Sequence, residues 1–153
     1  MNRASGESPS TVRLALQATI HCLTGCGIGE IVGLAGGTAV GLSNAATLVL
    51  GILLAYVFGY GLTLVPLIRA GIPFLRATGI TFAAETLSIT TMEIVDNVVV
   101  LAIPGAMDAG LADLLFWASL AISLALAFVA AFPVNRWLIG RGLGHAVVHS
   151  SHS

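Results

Sequence analysis

The chain has 153 residues, of which 57% are hydrophobic and 8% charged, with a formal net charge of −1 and a mean hydropathy of +0.99. A soluble domain carries about 25% charged residues because its surface must be wetted. This chain cannot cover a water-facing surface, so its first partner is the lipid bilayer, and its charge balance gives nucleic acid nothing to hold.

Residues 1–11 form a polar N-terminal segment. Four apolar runs follow, at 12–38, 45–68, 74–103 and 111–139, inside a transmembrane domain over 12–140. Each reaches the roughly 20 residues that a spanning helix needs, the third with tilt. The separators "GLSN" (41–44), "RAGIP" (69–73) and "PGAMDAG" (104–110) carry turn chemistry. A polar tail, 141–153, holds His145, His149 and His152, whose spacings of four and three would put them on one helical face as a metal site; a chain of chance histidines is the competing reading.

The arginines set the orientation. Arg3 and Arg13 stand before and at the start of the first run, Arg69 and Arg76 flank the turn between the second and third, and Arg136 and Arg141 close the fourth. The other two connections have none, and the second carries Asp108 and Asp113. Positive segments stay in the cytoplasm, so both termini are predicted there. Trp137 beside Arg136, and Trp117 at the far side, fit interface anchors.

The two halves repeat. Arg13 precedes Glu30, and Arg76 precedes Glu93, by the same seventeen residues; "EIV" recurs at 30–32 and 93–95, and P-x-x-R at 66–69 and 133–136. The predicted fold is therefore an all-α membrane protein of four transmembrane helices, built as two helical hairpins related by a pseudo-two-fold axis along the membrane normal. The repeat offset of 63 sets Cys22 against Glu85 and Glu30 against Glu93, the second pair about 12 Å further along the helices at 1.5 Å per residue.

The stretch "HCLTGCGIGE" (21–30) concentrates unusual residues. Gly25, Gly29, Gly33, Gly37 and Gly41 recur every four residues and predict a ridge for close helix packing. Cys22, Cys26 and Glu30 form an adjacent stripe. On the third run Met92 and Asp96 each fall within about 20° of Glu85, with Thr81 and Ser88 beside them. An ionisable group at such depth costs about 2.5–3.5 kcal/mol on insertion scales, and no arginine or lysine lies deep within the runs to neutralise Glu30, Glu85, Glu93 or Asp96. Two readings stand: a shared cation or proton site, or carboxyls that hydrogen-bond across helices and hold the fold. Thiolate, thioether and imidazole ligands favour soft or borderline metals. Against that, Cys26 also fits as a small packing residue, and His21 as a hydrogen-bonding one. "LTGC" (23–26) matches a lipobox, but Gln17 and His21 interrupt the apolar stretch before it and another apolar run follows, which disfavours lipidation.

Together, "HCLTGCGIGE", "MEIVDN", "IPGAMDAG" and "AAFPVNRW" resemble a widespread bacterial family of small membrane proteins catalogued as a domain of unknown function, over roughly residues 15 to 149. The resemblance implies a multi-pass protein of the bacterial inner membrane. Some members are labelled copper oxidases, although this chain lacks the two-histidine, one-cysteine set and the sandwich domain of a cupredoxin.

The leading expectation is a membrane metal-binding protein, a transporter or channel for a soft or borderline cation such as a copper or zinc ion. Its site candidates are His21, Cys22, Cys26, Glu30, Glu85, Met92, Glu93 and Asp96. The alternatives are a proton or cation channel without soft-metal preference, a membrane thiol oxidoreductase using Cys22 and Cys26, and a non-catalytic assembly module whose glycine ridge docks a partner. A homo-oligomer fits any transport role.

Overall fold

The structure, a computed structural model, describes residues 9–142, so the tail histidines His145, His149 and His152 lie outside the described residues. It is all-helical: α1 Pro9–Ala39, α2 Asn44–Arg69, α3 Phe74–Ala102 and α4 Leu114–Gly140, with one 3-10 turn at Ala106–Asp108 between the last two. The elements end where the turn chemistry dictates. After α1, Gly41 takes a left-handed conformation at φ 72°, which a side chain would strain, and Leu42 N–H closes back on the Gly37 carbonyl at 2.9 Å. Ser43 then caps α2, its hydroxyl accepting from the Ala46 amide at 3.3 Å. Gly41 is thus a turn residue and not the last step of the glycine ridge.

The rest of the ridge is a contact with α2. A Cβ added to Gly25, Gly29, Gly33 or Gly37 would fall on Gly59, Ala55, Gly51 and Thr47 respectively. Each step of four forward on α1 is a step of four backward on α2, the signature of an antiparallel pair in fixed register. The ridge is therefore covered within the chain, by α2. The buried stripe of α2 is Gly51, Ala55, Gly59, Thr63 and Leu67, again every four residues. α4 buries Ser119, Ser123, Ala127, Ala131 and Asn135 at the same interval. α1 packs chiefly on α2 and α3 on α4, α1 also meets α4, α2 meets α3, and α1 and α3 touch across the middle.

The distribution of side chains is inverted relative to a soluble protein. Val57, Leu53, Phe74, Leu75, Phe82, Ile94, Leu114 and Val129 are exposed, while Glu85, Ser88, Glu93, Asp96, Ser123 and Asn135 are buried. Water would not tolerate that apolar exterior; a bilayer is the solvent that does. Three helices, over Thr11–Ala39, Asn44–Arg69 and Leu114–Gly140, are long and apolar enough to cross a membrane. α3 has the length but not the hydropathy, because five threonines, Ser88, Glu85, Glu93 and Asp96 dilute it. Several of its hydroxyls are satisfied within the helix, Thr78, Thr86, Thr90 and Thr91 each donating to the carbonyl four residues before at 2.6–2.8 Å.

Both tryptophans sit half-exposed near helix ends, on opposite sides. Trp137 carries the Arg141 guanidinium 5.0 Å above its ring at the arginine end. Trp117 donates from Nε1 to the Leu111 carbonyl at 2.9 Å at the other.

Candidate functional site

The polar residues of α1 and α3 meet along the bundle centre. α3 turns Thr81, Glu85, Ser88, Ile89, Met92, Glu93 and Asp96 inward because they recur at three- and four-residue intervals. From α1 come Cys22 and Cys26, both buried free thiols, and the half-buried Glu30. Met92 and Ile89 pack with the two thiols, Ala55, Ala127 and Ala131 in one apolar cluster.

At the inner level Glu85 is fully buried, and both of its oxygens accept hydrogen bonds. Cys22 Sγ donates to Oε2 at 2.8 Å, and Thr63 Oγ1 donates to Oε1 at 2.6 Å. Thr63 in turn lies 3.0 Å from His21 Nε2. Three helices are tied here through one carboxyl group. On the flank, Tyr60 and Tyr56 of α2 bond Thr86 and Thr90 of α3 at 2.8 and 2.6 Å. Toward the arginine end, Asn135 of α4 donates to Thr19 of α1 at 3.0 Å, and Thr19 donates to the Ala15 carbonyl at 2.7 Å. Ala15, Ala18 and Ile139 pack tightly beyond them and close that end of the bundle.

The outer level is acidic. Cys26 lies against Glu93, and Glu30 lies within proton-sharing reach of Asp96, with Glu93 also close. Asn97 donates to the Glu93 carbonyl at 2.8 Å and to Glu93 Oε2 at 3.3 Å. Glu93 and Asp96 are only 5% and 3% exposed, yet Glu30 Oε1, Glu93 Oε1 and Asp96 Oδ1 are buried with no hydrogen-bond partner. A carboxylate has lone pairs and no donor, so two of them side by side need a shared proton or a cation between them. The arginines Arg13, Arg69, Arg76 and Arg136 stand toward the other end of the bundle and supply no counter-charge at this depth.

These three carboxyl oxygens belong to residues lining one cavity of about 390 Å³, whereas Thr81 Oγ1 and Ser88 Oγ, also buried without a partner, lie outside its lining. It runs from these acids out to the connections at 41–44 and 106–110, where Gly41, Asn44 and Asp108 are exposed. Asn44 Nδ2 donates to Asp108 Oδ1 at 2.6 Å and ties the two connections together at the mouth.

The structure brings the sequence candidates together in pairs: Cys22 with Glu85, Cys26 with Glu93, Glu30 with Asp96. Among the described residues, no three His, Cys, Asp or Glu side chains converge in a way that could hold a metal ion. His21 is turned toward α2, onto Thr63. Thr63 itself escaped the sequence reading, as did Asn97, Asn44 and Asn135. A signal for Thr63 existed, because it is the one hydroxyl in the buried every-fourth stripe of α2.

A family model described as a domain of unknown function, DUF4396, matches residues 12–144. The chain belongs to that family. The DUF4396 match takes in every residue of both levels of the site and both connections at the cavity mouth; among the described residues it leaves out only 9–11. No curated protein and no solved structure matches the chain.

Proposed function

We propose that this is a four-span inner-membrane protein of bacterial type that binds and moves a cation through the cavity onto Glu30, Glu93 and Asp96. The observation that carries the reading is three donorless carboxyl oxygens on the wall of one cavity, two of them on side chains more than nine-tenths buried. Buried carboxyl oxygens without a donor destabilise a fold, and a cation that enters the cavity supplies the missing counter-charge. α3 is the fourth span: its polar face turns inward and its Phe82, Leu87, Ile94 and Val98 turn out. Two hairpins about a pseudo-two-fold axis account for the Cys22–Glu85 contact, since residues beside such an axis meet their own counterparts at the offset of 63.

Soft or borderline cargo, of the copper or zinc class, is favoured by the sulfurs. Cys26 stands against Glu93 just inside the acids, and Cys22 against Glu85 beyond it. A cation moving inward would pass from oxygen to mixed sulfur–oxygen ligands. The pairwise arrangement favours the second reading, a proton or hard-cation pathway, because paired groups hand over protons without needing a coordination sphere.

Titration of the purified, metal-stripped protein with Zn(II) separates the two. Saturable binding that blocks alkylation of Cys22 and Cys26, and that weakens as the pH falls because protons compete for the same ligands, supports the soft-metal reading. Zinc without effect, together with proton or sodium flux in proteoliposomes, supports the second. Neither binding nor flux rejects the cation function altogether.

Topology is tested separately. Reporter fusions at residues 44 and 108 are expected to read periplasmic and one after residue 142 cytoplasmic, as the arginine distribution requires. A cytoplasmic signal at either connection would invert the proposed direction of access.

A further inference from the structure

The cavity is larger than an ion and more apolar than an ion path. Its volume of about 390 Å³ falls within the roughly 300–1,000 Å³ typical of small-molecule pockets, whereas one water needs only about 10–15 Å³. Leu34 stands four residues beyond Glu30 on α1, and Val100 four beyond Asp96 on α3, so both lie one helical turn nearer the mouth than the acids. Leu48 and Ile52 of α2 and Phe116 and Leu120 of α4 complete an apolar wall. The Phe116 ring is braced edge-on by Trp117, with centroids 5.1 Å apart and planes at 77°. None of these side chains offers a ligand to a metal ion, and each can lie against hydrocarbon.

The inner end of the cavity asks for donors. Glu30 Oε1, Glu93 Oε1 and Asp96 Oδ1 are buried acceptors with no hydrogen-bond partner, and Glu93 and Asp96 are more than nine-tenths buried. An ammonium group is donor-only, with three N–H bonds, and brings the positive charge that the acids lack. Its contacts run at about 2.7–3.2 Å, longer than metal–carboxylate bonds of about 2.0–2.2 Å. It therefore needs no tightly converged ligand set, and the described residues hold none. Asp108 and Asp113 stand in the connection at this end of the bundle, where the described residues include no arginine, so anions are turned away.

We propose that the cavity takes an organic ammonium ion, its charged head on Glu30, Glu93 and Asp96 and its hydrocarbon body along Leu34, Ile52, Val100 and Phe116. The proposal rests on the cation reading above and goes beyond its cargo, because an organic cation needs no sulfur ligand and stops at the acids. A metal ion and an organic ammonium share those acids and exclude each other there.

The test is equilibrium dialysis of the full-length, metal-stripped protein against radiolabelled phenethylammonium, methylammonium and phenethyl alcohol, with protein-free detergent as the blank. The first has head and body, the second the head alone, and the third the body with a neutral hydroxyl in place of the head. The expected result is saturable binding of phenethylammonium, displaced by Zn(II) and at least about 10²-fold tighter than that of methylammonium, since about seven further carbons leave water. Val100→Phe, which fills the apolar wall, loses phenethylammonium affinity by about tenfold or more and keeps its Zn(II) affinity. Val100→Leu, a smaller change, moves the same way and guards against a misfolded phenylalanine variant. Equal binding of phenethylammonium and methylammonium overturns the proposal. So does equal binding of phenethyl alcohol, which would make the cavity a plain apolar pocket. Zinc that binds where phenethylammonium does not overturns the organic cargo and leaves the cation reading standing. If neither cation binds, both fall.

Discussion

Exchanging Glu93 and Asp96 together for their amides, E93Q/D96N, abolishes cation uptake while leaving the protein at least as heat-stable as the wild type. The amides keep the size of the side chains, and the glutamine introduced at position 93 retains an oxygen for the Asn97 donor now bonded at 3.3 Å. What disappears is charge. A contact to a charged group is worth about 1.5–3 kcal/mol, so losing two weakens binding by roughly two to four orders of magnitude. Stability moves the other way, because crowded, donorless acids are a burden on the empty fold, and binding residues are commonly kept at the expense of stability. The measurement is a Zn(II) titration beside a thermal melt of the same sample. If the melt falls by several degrees while binding persists, the acids are cross-links holding the helices, and the cavity is incidental to them.

Gly29→Leu leaves little folded protein in detergent, whereas Gly79→Leu is tolerated. A Cβ on Gly29 would collide with the backbone nitrogen and Cα of Ala55, and backbone cannot turn aside as a flexible side chain would. The α1–α2 pair must then separate along its length, since Gly25, Gly33 and Gly37 are in the same register. Overpacking costs typically about 1–3 kcal/mol even where side chains yield, and the expected loss lies at or beyond the upper end. A Cβ on Gly79 meets nothing within 4 Å, and leucine is the better helix former by nearly 1 kcal/mol. Size-exclusion profiles and melting curves of the two variants decide it. Equal behaviour would mean that the glycine seam does not hold α1 to α2.

Much of the architecture is legible in the sequence because long apolar runs and glycine-marked turns are local signals. The run read at 45–68 corresponds to a helix over Asn44–Arg69, and that at 74–103 to Phe74–Ala102. The start of the last helix is less legible: it begins at Leu114 and not at 111, because Asp113 Oδ2 accepts from the Gly110 amide at 2.7 Å and holds those residues in a turn. Gly41 looked like one more step of a four-residue ridge, since a period does not announce where its helix stops. The contact of Cys22 with Glu85 could be anticipated from the repeat offset, because symmetry carries information across distant parts of a chain. Which acid stands beside Glu30 could not. The repeat offered Glu93, but the side chain facing it most closely is Asp96, three residues on along the same face of α3. Thr63 stayed invisible as a partner because its meaning depends on the rotation of α2 against α3, which no local pattern specifies.

The α1–α2 seam, described above as a matter of space, also has a thermodynamic side. Gly25, Gly29, Gly33, Gly51, Ala55 and Gly59 have no side-chain rotamers to lose when they are packed. In lipid, apolar side chains gain little from leaving one hydrocarbon environment for another, so association must rest on close contact and on keeping the entropy loss small. A seam of leucines would make more contacts and freeze more torsions. This one freezes almost none, so α1 and α2 join at little entropic cost, beside the seam facing α3 where the acids and thiols meet.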